Sequence, residues 1–408
     1  MPATNRDLPP VFCDIFCNVI DNYGDIGVCW RLARQLANEH GFGVRLWVDD
    51  LASLHRLCPE ADAQLSQQHC RGVEVRRWAV PFAEVEPANL VIEAFACKLP
   101  ERYVAAMAAQ EIKPVWINLE HLSAENWVAG CHKLPSPHPN LPLIKYFFFP
   151  GFTPQTGGLL LERDLLARRD AFQSDGAQQQ AFWQSLGMKM PSVETLKISL
   201  FGYENTALHG LFDTWGNSVQ PVLCLVPEGL ILPQVGQYFG DDAPRAGSSH
   251  ERGKLRVRVL PFVEQERYDE LLWACDVNFV RGEDSCVRAQ WAGKPFVWQI
   301  YPQHDAVHWD KLQAFLKLYY RALDHPHPNP LPPAGEGVIA QAMQGLWRAW
   351  NYGDGAGNAW PAFVAARDEL ERYAQDWARQ LAKNNLALNL LDFYRKIGTM
   401  RACKIEGQ

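Results

Sequence analysis

A loop with two glycines joins a hydrophobic run to a helical pattern near the start of the chain. The run VFCDIFCNVI occupies residues 11–20, and DNYGDIGVCWRLARQL follows over residues 21–36. In an α/β protein such a strand-to-helix turn usually cradles a phosphate. This turn instead carries Asp21 and Asp25, and its first cation is Arg31. Two carboxylates repel a phosphate, so the sequence predicts a loop that holds a cation or removes a proton.

A second strand-to-helix turn has the character that a phosphate site requires. In VNFVRGEDSCVRAQWAG, residues 277–293, a buried strand is predicted to end at Val280 and a helix to begin near Ser285. Backbone N–H groups and the helix dipole attract anions at such a turn. Arg281 and Arg288 add positive charge. The residues predict a diphosphate site here, and an ordinary capped helix remains the alternative.

Aromatic residues follow two other predicted strands. Phe201 and Tyr203 end one strand in LFGY, while Phe262 and Gln265 follow another in LPFVEQERY. The ends of parallel strands at one edge of a sheet form a ligand crevice. Aromatic faces there can stack a nucleobase, and a Gln amide can hydrogen-bond to its edge. The pattern predicts a nucleotide site, although core packing is the plainer interpretation of any single Phe.

Composition narrows the class of protein. The chain has 408 residues, of which 48% are hydrophobic, so two domains with substantial cores are expected. A net charge of −7 argues against general nucleic-acid binding. No run approaches 18 apolar residues and the N-terminal MPATNRDLPP has no apolar segment, so neither a membrane span nor a signal peptide is expected. Eleven scattered cysteines without a Cys-x-x-Cys pair favour a reduced cytoplasmic protein.

The order of hydrophobic runs predicts the elements that position these turns. Strand and helix patterns alternate up to about residue 120, and the alternation resumes near residue 195. This alternation is typical of parallel sheets covered on both faces by helices. Residues 130–160 are predicted as loop, and a long helical region is predicted from about Trp360 to Gly398. Two doubly wound α/β domains facing a cleft are expected, with a last helix that packs back on the first domain.

A Pro-rich stretch, HPHPNPLPPAGEG at residues 325–337, is predicted to lack regular structure. An exposed insertion is the simple interpretation. A His-rich metal site is the alternative, but no carboxylate or cysteine spacing supports it. Because no Asp-x-Asp motif stands at a fitting strand end, we expect no catalytic metal.

Five stretches resemble the EarP family of protein-arginine rhamnosyltransferases, which modify bacterial translation elongation factor P. They are FCNVIDNYGDIGVCWRLARQL, IEAFACKLPE, INLEHLSAENWV, KYFFFPGFTPQTGGLL and RGEDSCVRAQWAGKPFVWQIYPQ. The resemblance implies a GT-B glycosyltransferase with two Rossmann-like domains. Residues 1–190, completed by helices at about 372–408, would bind the acceptor. Residues 191–371, with the Pro-rich stretch as an insertion that departs from the family pattern, would bind the nucleotide sugar.

The resemblance also implies the reaction. L-Rhamnose would pass with inversion from dTDP-β-L-rhamnose to an arginine of elongation factor P, which activates the factor to rescue ribosomes stalled on proline runs. No cofactor or metal is implied, and the expected partner is the N-terminal domain of the factor rather than a nucleic acid or a membrane. Two alternatives stay open: a GT-B enzyme with another acceptor, and a non-catalytic nucleotide-binding scaffold.

Site residues carry over by motif. Asp25 matches the general base, Asp21 its neighbour, and Glu283 a second carboxylate required for activity. The acceptor site would comprise Asp21, Asn22, Gly24 and Asp25. The nucleotide-sugar site would comprise Phe201, Tyr203, Phe262, Gln265, Arg281, Gly282, Glu283, Asp284, Ser285 and Tyr301.

The chemistry of the acceptor constrains the mechanism. A guanidinium has a pKa above about 12, so an aspartate with an ordinary pKa near 4 cannot remove its proton outright. Asp25 and Asp21 are therefore expected to hold the guanidinium by charge-assisted hydrogen bonds. Asp25 then takes the proton as the C–N bond forms, while Arg281 and the amides of residues 281–285 stabilise the departing dTDP. Glu283 is expected to orient the donor sugar or the ribose.

Overall fold

The structure is a computed structural model that describes the backbone of residues 11–21, 23–302, 307–324 and 336–406. Asn22 and residues 325–335 of the Pro-rich stretch lie outside the described residues, so what was predicted for them stays a prediction. The chain divides into two compact units. The first comprises Met1–Arg163 and Lys383–Gln408, and the second comprises Asp164–Ala382.

Eight strands in the described part of the first unit form one sheet. They are β1 Phe12–Cys17, β2 Gly43–Val48, β3 Gln67–Cys70, β4 Val73–Arg77, β5 Leu90–Ala94, β6 Val115–Leu119, β7 Pro135–Pro137 and β8 Ile144–Phe148. Their order is β3-β4-β2-β1-β5-β6-β8-β7, and only the pairs at the two edges are antiparallel. The helices α1 Gly24–His40, α2 Leu51–Leu57, α3 Glu101–Ala109 and α4 Val128–Cys131 connect them. The strand order reverses between β1 and β5, which is the topological switch point of a doubly wound sheet.

The centre of this sheet is mainly apolar, but it contains the buried carboxylates of Asp14 in β1 and Glu93 in β5. Strand β1 has five buried residues and β5 is buried throughout, as expected for parallel strands covered on both faces. Asp14 in β1 is fully buried. Its oxygens accept hydrogen bonds from Arg45 at 2.6 Å, from Trp47 at 3.2 Å, from the Ala88 N–H at 3.1 Å and from the Tyr103 hydroxyl. Because a buried charge is tolerated only when it is paired, this network fixes β1 against its neighbours.

Six strands in the described part of the second unit form a similar sheet. They are β9 Leu196–Leu200, β10 Val222–Pro227, β11 Ser249–Arg252, β12 Leu255–Leu260, β13 Val277–Arg281 and β14 Phe296–Gln299, in the order β11-β12-β10-β9-β13-β14. Only the β11–β12 pair is antiparallel. The helices are α5 Leu165–Ser174, α6 Gly176–Ser185, α7 Leu208–Gly216, α8 Leu232–Phe239, α9 Gln265–Ala274, α10 Gly282–Ala292, α11 Val307–Asp324, α12 Glu336–Tyr352, α13 Ala356–Ala365 and α14 Arg367–Leu381. The switch point of this sheet lies between β9 and β13.

The two sheets confirm the predicted α/β class with doubly wound, mainly parallel sheets. Residues 130–160, predicted as loop, contain α4, β7 and β8. The long helical region predicted near the C-terminus is three helices, namely α13, α14 and α15 (Leu386–Glu406). None of the helices in the described part of the chain is both long and apolar enough to cross a bilayer.

The units divide at residues 163/164 and 382/383, not at the predicted 190/191 and 371/372. Helix α5 precedes the second sheet in sequence but packs on it: the Arg169 guanidinium donates to the Trp291 carbonyl at 2.9 Å, and the Gln173 amide donates to that of Ala292 at 3.2 Å. Helix α14 belongs to the same unit, because the Trp377 indole donates to the Gln290 side chain at 2.8 Å. Composition does not reveal these contacts, since they join segments about 80–120 residues apart.

The chain returns to the first unit just before α15. The Leu159 N–H donates to the Asn384 carbonyl at 3.1 Å, and the Leu386 N–H donates to the Leu159 carbonyl at 2.9 Å. Gly158 has a φ of +82°, and a Cβ on it would lie 2.2 Å from the Asn384 carbonyl oxygen. A glycine is therefore required where the two segments meet.

We expect His132 to make the protein less stable at acid pH. Its Nδ1 accepts a hydrogen bond from the Phe149 N–H at 3.1 Å, and burial lowers its pKa to about 4. In the unfolded chain the pKa returns to about 6.5, so between these values the unfolded state binds more protons. The free energy of unfolding should therefore fall as the pH drops from about 6.5 to 4.

Denaturant unfolding of wild type and His132→Asn at pH 7 and pH 4.5 tests this, because the Asn oxygen can still accept the Phe149 N–H and does not titrate. The wild type should lose more stability than the variant on acidification. Equal losses would mean that His132 is not the group responsible.

Candidate functional site

The acidic loop, residues 18–25, follows β1 and leads into α1. Asp25 is 7% exposed, and its Oδ2 accepts the N–H groups of Ile20 and Asp21, each at 2.9 Å. The preceding N–H, that of Val19, donates to Oδ1 of Asp49 at 2.9 Å. These three amides lie where a Rossmann-type turn would present N–H groups to a phosphate. Since carboxylates of the chain already occupy them, the loop is built around negative charge.

Asp21 lies on the same turn as Asp25. The Gly24 N–H donates to the Asp21 carbonyl at 2.7 Å. A Cβ on Gly24 would lie 2.8 Å from Oδ2 of Asp21, so a larger residue there would displace the Asp21 carboxylate. The structure thus brings Asp21, Gly24 and Asp25 together on one turn; that they bind the acceptor stays a prediction. Their predicted neighbour Asn22 lies outside the described residues.

A strained segment follows β5 beside this loop. Phe95, Ala96 and Lys98 have φ values of +55°, +54° and +54°, which residues other than glycine rarely adopt. The Asn118 amide oxygen accepts the Ala96 N–H at 3.0 Å, and the buried Glu93 carboxylate accepts that of Lys98 at 3.2 Å. Such strain persists where the surroundings enforce it, and it is typical of functional sites.

The sequence did not predict this feature, because FACK at residues 95–98 contains neither Gly nor Asn, the residues that usually indicate a left-handed turn. The Phe95 ring also stacks on His121, with 4.5 Å between centroids. His121 follows β6, the strand that pairs with β5 on the side away from β1. An aromatic pair therefore lies at the same sheet edge as the acidic loop.

The turn predicted to bind a diphosphate begins α10 in the second unit. Gly282 opens the helix with a φ of +61°. The Ser285 hydroxyl accepts the Arg281 N–H at 3.0 Å and donates to the Arg281 carbonyl, while the Trp298 indole donates to the Gly282 carbonyl at 2.8 Å. Glu283 and Asp284 are half-buried in the first turn of the helix. The helix begins three residues earlier than predicted, so all these residues lie at its N-terminus.

Arg281 is the centre of an aromatic cluster. Its guanidinium lies 4.6 Å from the ring centroid of Phe201 and 4.6 Å from that of Tyr203, and the residue is 4% exposed. Tyr301 packs edge-on against Tyr203 at 5.5 Å, and Phe201 packs against Tyr268 at 5.7 Å. The structure therefore places residues that were predicted to bind the nucleotide in contact with Arg281, which was predicted to bind its diphosphate.

Gln265 connects a third loop to this turn. Its side-chain amide donates to the Asp284 carboxylate at 3.3 Å, and Phe262 lies half-buried just before it, between β12 and α9. The predicted nucleotide-sugar residues thus follow the carboxyl ends of β9, β12, β13 and β14, at one edge of the sheet. That they bind a nucleotide stays a prediction.

Two buried groups that support this edge have roles the sequence did not reveal. The Gln299 oxygen accepts the Tyr203 N–H at 2.9 Å, and its amide donates to the Glu204 carbonyl at 3.3 Å. Arg288, predicted to add charge near the diphosphate, instead pairs with Asp269 through two contacts of 2.7 and 2.6 Å. Both side chains of this pair are almost fully buried. The ion pair ties α9 to α10 and so fixes Gln265 relative to Asp284.

In the part of the chain that the structure describes, no three His, Cys, Asp or Glu side chains are grouped as a metal site would require.

Gly282→Ala should strain the turn that opens α10, because an L-residue at a φ of +61° costs about 1–2 kcal/mol. We expect a lower melting temperature and weaker binding of a nucleoside diphosphate in calorimetry. Gly345→Ala, in the interior of α12, is the matched control, since a Cβ there meets only the Ala359 Cβ at 3.9 Å. Nucleotide affinity that falls equally in both variants would contradict the assignment of the turn.

Comparison with known proteins identifies the family. The family model for the elongation factor P (EF-P) rhamnosyltransferase EarP matches residues 13–395. The chain is 51% identical to the protein-arginine rhamnosyltransferase of Pseudomonas putida, with 94% of this chain and 98% of the relative covered. It is 49% identical to that of Pseudomonas aeruginosa, with 93% and 98% covered.

Solved structures agree with this match. A structure that explains EarP-mediated arginine glycosylation of translation elongation factor EF-P is similar with a TM-score of 0.66 and 38% identity, over 94% of this chain and 99% of the other. A glycosyltransferase from Rickettsia africae shares the fold, with a TM-score of 0.50 and 8% identity over 96% and 99% of the two chains. The chain therefore belongs to the EarP family of protein-arginine rhamnosyltransferases, and the family and glycosyltransferase fold predicted from its sequence are confirmed.

Proposed function

We propose that this enzyme transfers L-rhamnose from dTDP-β-L-rhamnose, with inversion, to an arginine guanidinium of translation elongation factor P. The modification would activate the factor to rescue ribosomes stalled at polyproline. The observation that carries the proposal is the acidic loop. In this strand-to-helix turn the backbone amides donate hydrogen bonds to Asp25 and Asp49, whereas in a phosphate site they would donate to the phosphate. Such a loop suits a cationic acceptor, and the relatives are protein-arginine rhamnosyltransferases.

On the acceptor side, we assign Asp25 as general base. Its Oδ2 is held by two loop amides, and we assign Oδ1 to a guanidinium N–H. Asp21 would hold a second N–H, so that the planar cation is gripped by two charge-assisted hydrogen bonds. The attacking nitrogen becomes acidic only as its bond to the anomeric carbon forms. At that stage the proton passes to Asp25, and the C–O bond to dTDP breaks on the opposite face of the sugar.

On the donor side, we assign the diphosphate to the N-terminus of α10. The amides of Gly282–Ser285 and the helix dipole would stabilise the negative charge of the departing dTDP. Arg281 would add a cation that its contacts with Phe201 and Tyr203 hold in place. The thymine would stack on Phe201 or Phe262 with Gln265 at its edge, and Glu283 would orient the sugar or the ribose.

We further propose that catalysis needs no metal ion, because Arg281 and the helix N-terminus supply the positive charge that a cation would supply to the diphosphate. The partner would be the folded N-terminal domain of the factor. A single arginine cannot define one target protein. An enzyme surface that fits a folded domain excludes generic peptides, because their polar groups would stay unpaired there and their chains would have to become ordered on binding.

Intact-mass measurement tests these assignments together. Elongation factor P, its isolated N-terminal domain and a linear peptide of its acceptor loop are each incubated with enzyme and dTDP-rhamnose, with and without EDTA. The first two should gain one deoxyhexosyl residue, the peptide should react poorly, and EDTA should have no effect.

No gain on the intact factor would contradict the assignment of elongation factor P as the acceptor. Efficient modification of the peptide would contradict recognition of the fold, and a loss with EDTA restored by Mg²⁺ would contradict metal-free catalysis.

Asp25→Asn should abolish measurable transfer, because an amide cannot take the proton; general base catalysis accounts for about 10²–10⁴ in rate. The affinity for dTDP in calorimetry should be unchanged, since the donor residues belong to the other unit. Asp21→Asn should mainly raise the KM for the acceptor. The matched control is Asp392→Asn, an exposed carboxylate on α15 that pairs loosely with Arg395. Near wild-type turnover in Asp25→Asn would disprove the base assignment.

A further inference from the structure

Asp49, which the proposed mechanism does not use, holds the acidic loop to the neighbouring strand. It directly follows β2, which runs parallel to β1 with Val48 level with Cys17. Its Oδ1 accepts the Val19 N–H at 2.9 Å, and its Oδ2 accepts the side-chain amide of Asn18. The first two residues beyond β1 are therefore fixed by a carboxylate from the adjacent strand.

The loop lies between two carboxylates that act from different elements. Asp25, on α1, accepts the N–H groups of Ile20 and Asp21, whereas Asp49 accepts that of Val19. These residues lie beyond the last register pair of β1, so the sheet itself does not position them. Asp49 also accepts its own following amide, that of Asp50, at 2.9 Å, which orients the carboxylate.

We propose that Asp49 is a positioning residue for arginine rhamnosylation, acting through hydrogen bonds to the loop rather than through its charge. The inference rests on the proposed function of the acidic loop. Both oxygens of Asp49 accept hydrogen bonds from the chain itself, which is the arrangement of a support rather than of a ligand. Asp49 sets where the backbone of residues 19–21 lies, and hence where Asp21 and Asp25 meet the guanidinium.

The chain offers a matched control one residue away. Asp50 is also an aspartate in the turn between β2 and α2, and it is half-buried like Asp49. Its side chain caps α2 by accepting the N–H groups of Ala52 at 3.0 Å and Ser53 at 3.2 Å. Loss of Asp50 should therefore weaken the helix cap and leave the acidic loop in place.

The substitution Asp49→Ala should lower kcat on the order of 10²-fold, because a misplacement of about 1 Å has that effect on a reaction that depends on orientation. Binding of dTDP should be unchanged. Asp49→Asn should recover most of the activity: its oxygen can accept the Val19 N–H, and Asn18 can turn its amide to present its own oxygen. Asp50→Ala should lower the melting temperature and keep the wild-type kcat.

The experiment measures kcat and KM with elongation factor P, dTDP affinity and melting temperature for wild type and the three variants. Wild-type kcat in Asp49→Ala would overturn the inference. Equal losses in Asp49→Asn and Asp49→Ala would show that the charge of Asp49 matters instead. An equal loss in Asp50→Ala would show that any damage to this turn is sufficient.

Amide hydrogen exchange separates this inference from the proposed function. Residues 18–21 should exchange faster in Asp49→Ala than in wild type or Asp50→Ala, whatever the acceptor is. Unchanged exchange would overturn the role of Asp49 even if rhamnose transfer is observed. A wild-type enzyme that fails to modify elongation factor P would disprove the proposed function, and the role of Asp49 in holding the loop would then be decided by the exchange rates.

Discussion

Both candidate sites depend on one constraint, the position of a central strand where the order of a parallel sheet reverses. Strand β1 pairs with β2 on one side and β5 on the other, and β9 pairs likewise with β10 and β13. Helices on both faces leave the carboxyl edge of such a sheet as the place where loops diverge and a ligand can enter. The predicted site residues that the structure describes lie at the end of a strand or shortly after it, at that edge.

The two units use the same type of strand-to-helix turn, but different groups satisfy its backbone. After β1, the carboxylates of Asp25 and Asp49 take the loop amides, so the turn presents negative charge. After β13, Gly282 and Ser285 shape the start of α10, and Arg281 adds a cation held against aromatic rings. The proposed guanidinium and diphosphate sites follow from this difference in how the two backbones are satisfied.

Buried charge supports each site from within. Asp14 binds Arg45 inside the sheet that carries the acidic loop, and Asp269 binds Arg288 between the two helices that carry Gln265 and Asp284. Removing one partner of such a pair leaves the other charge unpaired in the interior, which lowers the free energy of unfolding by about 3–5 kcal/mol. These pairs therefore fix the relative position of elements on whose ends the functional groups lie.

The sequence by itself determined which charged residues the two turns carry and the α/β class, because residue types in a short segment and the alternation of hydrophobic runs are local properties. The roles of Asp21, Asp25 and residues 281–285 were predicted from motifs that resemble the EarP family, and those roles stay predictions. Only the tertiary structure decided where the units divide, that Arg281 lies between two rings, and that Asp49 and Gln299 hold the loops. These features join residues 30 to 122 positions apart, and no local pattern records such hydrogen bonds because packing creates them.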